Sequence, residues 1–489
     1  MIRKRNGDDS VRNGANVMKM RTPARAAAWY LAGGALGKAI GLIATPIFTR
    51  LLSSEEYAIL PLFMTWVGIL GAFSGIAGSF GIRGRMLIER NKYGEGLCAA
   101  LIGYTYLQLF ICMLAYFALY PALSRVGAPS VGLSLLVFLE LFIDGAVYCE
   151  STQLKANYSF RKASLIGIFL SLCPVVLSYI IISILGARGE FRVYGVLISG
   201  GVLAIPFIAR ALKSGRLYNK AVWQKLLRTE LPLLPRGVAG ALLLFADRLM
   251  ITAYYGAGAL SAYTISHSVG AAGGFIVTAL GAAATPWVLR RLSEGRLDGV
   301  REALDSAVML LILSAVLICG IAPEVVGFLA PSGYAVPLGA IAPLALSCVP
   351  SFLIGIMSAT AAGDGRGFSA ALPGIMAAGI SIGLNALSFR YFPFEVAGLN
   401  YFIASIIGLI VAAALSRHGT GALMFSLDRL ILSLLLGGML CLTALAFDYS
   451  IAMRAVLILL AVVISLPLLL GFLVRIGIKR PPKSGGDGV

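Results

Sequence analysis

The chain has 489 residues, of which 59% are hydrophobic and 13% charged, and its formal net charge is +18. Soluble domains are about 45–50% apolar and about 25% charged, so this composition excludes an ordinary soluble protein. The basic excess, which in a soluble chain would point to nucleic acid, has to be read by position instead.

In chain order, residues 1–26 are polar and basic, with no short apolar core followed by a small-residue cleavage site. They read as a cytoplasmic tail rather than a cleaved signal peptide. A helix needs about 20 mostly apolar residues to cross a bilayer. Fourteen blocks of that kind follow, at 27–49, 57–79, 96–120, 130–150, 163–185, 193–212, 229–255, 259–288, 305–329, 337–362, 369–391, 394–416, 428–446 and 452–476. They predict an all-α integral membrane protein with 14 transmembrane helices. Apolar and polar residues do not alternate within them, which excludes a barrel. Nearly all the mass lies in the spans, leaving no room for a soluble catalytic domain, so no enzyme is expected.

Span 1 carries Lys38 in "AGGALGKAIGLIATP". It sits about eleven residues, or roughly 16 Å at the helical rise, from either end, too deep for easy snorkelling. It reads as lumen-facing or as half of a structural ion pair. Span 4 carries Glu140 and Asp144 in "LVFLELFIDGAVY", at i and i+4 and hence on one face. Two close carboxylates in a low-dielectric site seldom both ionise. Either a proton or cation sits between them, for coupling, or a salt bridge to Lys38 or Arg236 neutralises them. Residues 213–228, "KSGRLYNKAVWQKLLR", are basic and amphipathic, the pattern of an interfacial helix.

Span 7 opens with Arg236 beside Pro232 and Pro235. The prolines break the regular helix and free backbone groups where a cavity should be lined, although snorkelling stays open for this arginine. Further on, "LLLFADRLMITAYYG" places Asp247 and Arg248 side by side. Adjacent helical residues do not face each other, so each needs its own partner. Asp247 is eleven residues from Arg236, close to three turns, which puts both on one stripe kept narrow by Ala239, Gly240 and Ala241. Arg248 lies at the edge of that stripe or reaches the interface. His267, in "YTISHSVGAAGG", opens span 8 as an added donor or a satisfied core histidine. The seven cysteines are scattered, without a CxxC, and read as small apolar filler. No metal or cofactor is required.

Short loops rich in Lys and Arg stay cytoplasmic. With both termini inside, 31 of the 40 Lys and Arg fall in cytoplasmic segments and 6 on the other side. The basic charge therefore marks orientation and contact with anionic lipid, not nucleic acid.

The chain also echoes itself. "TRLLSSEEYAIL" (49–60) and "AYYGAGALSAYTI" (253–265) each make a short outer turn, and each is followed a span later by a basic loop, "GIRGRMLIERNKYGEG" and "VLRRLSEGRLDGVRE". "STQLKANYSFRKASLIG" and "SATAAGDGRGFSAALPG" repeat the likeness before spans 5 and 11. The period is six spans. An even period leaves the halves in one orientation, so they are parallel repeats. The expected organisation is a basic N-terminus (1–26), an N-lobe (27–212), a linker (213–228), a C-lobe (229–416), two further helices (428–476) and a tail (477–489), with the six-helix lobes flanking a central cleft.

"ATPIFTRLLSSEEYAIL", "FADRLMITAYYGAGALSAYTISHSVG", "TPWVLRRLSEG" and "AAGDGRGFSAALPGIMAAGISIGLNALSF…FEVAGLNYFIAS" resemble the corresponding segments of the polysaccharide-export flippases. These include the O-antigen and exopolysaccharide repeat-unit flippases of the multidrug/oligosaccharidyl-lipid/polysaccharide exporter superfamily. The resemblance covers nearly the whole chain. Ala58 and Ser261 depart from it where the family often has Gly. It implies a flippase moving an undecaprenyl-diphosphate-linked oligosaccharide across a bacterial cytoplasmic membrane. Lipid is then its other partner, and a polysaccharide polymerase and a chain-length regulator are candidate protein partners.

Such a load suits the residues. Its head needs a wet cationic cavity, since phosphate binds Lys and Arg by charge-assisted hydrogen bonds, while the tail stays in lipid. Lys38, Arg236, Arg248 and His267 are the candidate substrate contacts, and Asp247, Glu140 and Asp144 the coupling or structural carboxylates. A drug/cation antiporter of the same superfamily would want acidic residues to dominate, and a lipid II flippase is a second alternative. A membrane-embedded glycosyltransferase or polymerase would carry carboxylates on a long outer loop, and none of the predicted outer loops is long enough.

The topology is testable with single cysteines. One at Ser53 or Ser332 should react with an impermeant thiol reagent added to intact cells, and one at Ser214 or Ser293 should not; labelling at Ser293 from outside would overturn the fourteen-span arrangement.

Overall fold

The computed structural model describes residues 29, 32–73, 80–89, 96–124, 127–157, 159–231, 234–294, 299–364, 366–420, 424–446 and 451–475. The expected basic N-terminus and the C-terminal tail lie outside the described residues. Every helix and turn among those described fits the all-α expectation. Helices α1 (Ala32–Leu51) and α2 (Ser54–Phe73) are followed by the short α3 (Phe80–Ile88), then α4 (Leu97–Leu123), α5 (Val131–Ala156), α6 (Phe160–Leu185) and α7 (Glu190–Ser214). An eleven-residue helix, α8 (Lys220–Glu230), precedes α9 (Leu234–Gly270) and α10 (Gly274–Ser293). The rest comprises α11 (Val300–Leu329), α12 (Ile341–Leu346), α13 (Cys348–Gly363), α14 (Gly367–Ser388), α15 (Val396–Thr420), α16 (Leu427–Ala446) and α17 (Ile451–Arg475).

Among the described residues, thirteen continuous stretches are long and apolar enough to cross a membrane, and one of them, residues 237–293, is 57 residues long. At about 1.5 Å per residue that length is more than twice a hydrocarbon core of about 30 Å, so it holds two spans. The break falls at Gly256, whose φ of 85° lies in the left-handed region. Only glycine enters that region freely, and space around it is not the reason, since nothing lies within 4 Å of an added Cβ. Splitting there yields fourteen spans, as expected.

The chain divides into two compact units, one of residues 1–52, 66–124 and 128–234, the other of 53–65, 125–127 and 235–489. In the first, α5 packs against α4 and α7, and α7 against α6. One end is closed by a cluster that includes Met86, Leu97, Leu101, Cys149, Val222 and Leu226, so α8 is seated on α3 and α4. The seat is close: a Cβ on Gly103 would strike the backbone carbonyl of Leu217. A buried ion pair pins it, with Arg83 Nε 2.8 Å from Glu230 Oε1 and Nη2 3.0 Å from Oε2. Arg83 Nη1 also donates to Thr105 Oγ1 at 2.7 Å.

In the second unit the 30-residue α11 is the axis of the core, with α16 and α17 packed along it. Arg454 of α17 reaches Glu324 of α11 through two contacts, at 2.8 and 2.5 Å. At the other end of α11, Asp305 accepts from the backbone N–H and hydroxyl of Ser426 at 3.2 and 2.7 Å. The two echoing turns meet here as well: Ser261 donates its hydroxyl to the carbonyl of Ser54.

Candidate functional site

The adjacent pair on α9 does find separate partners. Asp247 is 1% exposed. Its Oδ2 accepts from the Tyr263 hydroxyl at 2.5 Å, and its Oδ1 from the backbone N–H of Arg248 at 2.8 Å. The Arg248 guanidinium turns elsewhere: Nη2 is 3.2 Å from His267 Nδ1, and Cζ lies 5.4 Å from the centre of the Phe245 ring. Tyr263 and His267 are i and i+4 on the segment after Gly256, with ring centres 6.0 Å apart. Two neighbours on one segment are thus matched by two residues a turn apart on the next. A guanidinium can only donate, so His267 accepts at Nδ1 and carries its proton on Nε2. Both Tyr263 and His267 are buried, which keeps water from competing.

This arrangement leaves Arg248 only partly used. Its Nε is buried without a hydrogen-bond partner, and among the described residues the guanidinium makes one hydrogen bond, to His267. The carboxylate next to it in sequence is committed to Tyr263 and the backbone, so Asp247 does not hold the Arg248 side chain.

Arg236 falls in the first turn of α9, and its side chain lies outside the described residues. Lys38 is exposed on α1. Gly33 and Gly37 set the packed face of that helix: an added Cβ would come 3.3 Å from Ser164 Cβ at the first and 2.7 Å from Ser171 Oγ at the second. At Gly34 and Gly41 an added Cβ would meet nothing within 4 Å. Lys38 is one turn from each of these and shares their open side.

Glu140 and Asp144 lie on α5 in the first unit. Glu140 is 5% exposed and its Oε2 has no hydrogen-bond partner. That oxygen lies 3.9 Å from where a Cβ on Gly200 of α7 would be. Among the described residues neither carboxylate forms an ion pair. The salt bridge to Lys38 is therefore not made, and that to Arg236 falls outside the described residues.

Sequence reading missed several polar groups of the second unit. Tyr263 is the partner of Asp247. On α14 and α15, Asn400 Nδ2 donates to Asn385 Oδ1 at 2.8 Å and to Ser388 Oγ at 2.7 Å. The signal was present: both asparagines end a Gly-Leu-Asn triplet inside an apolar run. All seven cysteines are free, yet the fold brings Cys98 and Cys149 together, with Cys149 Sγ 3.8 Å from the Cys98 carbonyl. They line a cavity of about 210 Å³ in the first unit, together with Gln153, Phe207 and the Glu150–Arg210 pair. Among the described residues no group of three or more His, Cys, Asp or Glu is placed to hold a metal ion.

A family model described as polysaccharide biosynthesis protein matches residues 24–291. No curated protein sequence matches the chain. Among solved structures, the lipid II flippase MurJ in an inward closed conformation is similar with a TM-score of 0.68 and 13% identity, over 90% of this chain and 98% of that one. An outward-facing multidrug resistance MATE family transporter of the MOP superfamily is similar with a TM-score of 0.58 and 18% identity, over 82% and 95%. A MOP superfamily transporter from Pyrococcus furiosus, whose binding pocket is described as reversed in polarity, has a TM-score of 0.56 and 18% identity, over 82% and 96%. At these identities the likeness is one of fold.

The two carboxylate environments predict opposite responses to isosteric change. Tyr263→Phe strips a donor from a buried carboxylate and should cost about 1–3 kcal/mol, read as a lower melting temperature of the purified protein in detergent. Glu140→Gln and Asp144→Asn each remove a charge that no ion pair among the described residues balances, so neither should lower it. A drop in melting temperature for either amide variant as large as that for Tyr263→Phe would mean that the α5 carboxylates are paired.

Proposed function

The chain belongs to the polysaccharide biosynthesis protein family, whose model it matches over more than half its length, and on that premise we propose that it is a flippase for undecaprenyl-diphosphate-linked oligosaccharide repeat units. It carries them by alternating access from the inner to the outer leaflet of a bacterial cytoplasmic membrane, for O-antigen or exopolysaccharide synthesis, with both of its termini in the cytoplasm. The observation that carries the reading is the Arg248 guanidinium, carried on an apolar helix with donors left over. A diphosphate supplies the acceptors that arginine lacks, and a planar guanidinium can meet it with two parallel hydrogen bonds.

His267 keeps Arg248 oriented while no anion is present, through a neutral contact that a phosphate outcompetes. Asp247 does not compete for the same arginine, because Tyr263 holds it. Lys38, on the open side of α1, is assigned to the anionic load as a point charge, and Arg236 to its approach. The same basic set argues against a cationic drug as the load. Glu140 and Asp144 are the coupling pair: one buried and one partly buried carboxylate, with no ion pair among the described residues, take up a proton or a cation and give it back.

The reading is tested by complementing a deletion strain and measuring surface polysaccharide, with protein level in the membrane followed in parallel. Arg248→Lys should keep part of the activity, since an ammonium retains the charge but cannot make the two parallel hydrogen bonds. Arg248→Ala and Lys38→Ala should each abolish surface polysaccharide at unchanged protein level. Full complementation by the double alanine variant would remove these residues from the phosphate site.

Coupling is read separately in the same strain. Asp144→Asn should weaken export and change its dependence on pH or sodium. Export that is unchanged across pH and sodium for both Glu140→Gln and Asp144→Asn would leave the pair a structural role only.

A further inference from the structure

Helix α8 is a soluble-looking element tied tightly to the membrane. It begins six residues after α7 ends and ends four residues before α9 begins. The intervening residues can span at most about 18 Å on one side and about 11 Å on the other, and both neighbours are apolar spans. A helix of eleven residues, about 16 Å long, therefore lies at the boundary of the bilayer rather than out in solution.

Its rotation about its own axis is fixed. Asn219 caps it, accepting from the Val222 N–H at 3.2 Å. Val222 and Leu226 are buried, and Trp223 Nε1 donates to the Ala100 carbonyl at 3.0 Å. Glu230, the acid that closes the helix, points inward to Arg83. What remains outward is of one sign: Lys213, Arg216, Lys220, Lys225 and Arg228 are exposed, and no Asp or Glu occurs between 213 and 228. Large apolar side chains are set among these charges, with Tyr218 62%, Leu227 53% and Leu231 59% exposed.

We propose that the outward face of α8 and its flank at 213–219 is a docking surface for anionic phospholipid headgroups. Basic residues interleaved with exposed leucine and tyrosine match a surface that is negative at the headgroups and apolar just beneath. An acidic soluble partner would use the charges and leave the leucines in water. The buried Arg83–Glu230 pair contributes by taking the acid of α8 out of the face. This surface stands apart from the flippase reading, and its test does not involve transport.

The full-length protein is placed in nanodiscs of phosphatidylcholine alone, or with about one third phosphatidylglycerol, and backbone hydrogen exchange is followed over 217–231. Exchange should be at least about threefold slower with phosphatidylglycerol, and the difference should vanish at about 0.5 M salt, where the Debye length is only a few ångströms. The variant Lys220→Gln, Lys225→Gln, Arg228→Gln should exchange alike in both discs, while α4 residues 97–105 stay protected as in the parent. If that variant loses its α4 protection, the single Arg228→Gln variant replaces it and should show a reduced lipid effect. Equal exchange of the parent in the two discs, or slowing that survives high salt, overturns the proposal. So does slowing in phosphatidylcholine discs on adding inorganic phosphate, which would show a general anion response.

Discussion

A charge buried away from water has to be compensated where it lies, and most of the polar architecture among the described residues answers that demand. Three solutions recur. Arg83 with Glu230 and Arg454 with Glu324 are ion pairs with two contacts each. Asp247 is held by a phenol and a backbone N–H without a cation. Arg248 takes an imidazole, the weakest of these partners, because a neutral ring supplies one acceptor and no charge.

The incomplete solutions are the informative ones. The ion pairs fasten α8 to α3 in one unit and α17 to α11 in the other, each through two hydrogen bonds between opposite charges. Among the described residues Arg248 and Glu140 have no such counter-charge, and each keeps a buried polar atom with nothing to bond, as the Nε of the ion-paired Arg454 does. Such atoms are costly to bury. What separates Arg248 and Glu140 from the fastening pairs is the missing opposite charge among the described residues. Tyr263 holds the Asp247 carboxylate away from the arginine side chain beside it.

Backbone geometry makes the match on α9 possible. The break at Gly256 lets one apolar run of 57 residues turn back as two spans. The four residues of the polar set lie on the two arms of that turn, Asp247 and Arg248 before it and Tyr263 and His267 after it. A straight helix would carry Tyr263 about 24 Å away from Asp247 at the helical rise. Replacing the conformational freedom at one glycine would therefore disturb a hydrogen-bond set two turns and more away.

The amino-acid sequence by itself determined the class of the molecule: apolar blocks of bilayer length leave only the helix, whose backbone is satisfied within one segment. It also placed Lys38, Glu140, Asp144, Asp247 and Arg248 inside spans, and helical geometry ruled out pairing between the last two. It did not reach Tyr263, which looks like an ordinary residue of an apolar run until a second helix stands opposite, and the repeated Gly-Leu-Asn triplet marked two polar residues without showing that they bond to each other. Only the tertiary structure decided which partner each charge received and which polar atoms were left without one. The reason is physical: spacing along one helix says which residues share a face, whereas a hydrogen bond across helices depends on the angle of a turn and the register of two packed surfaces.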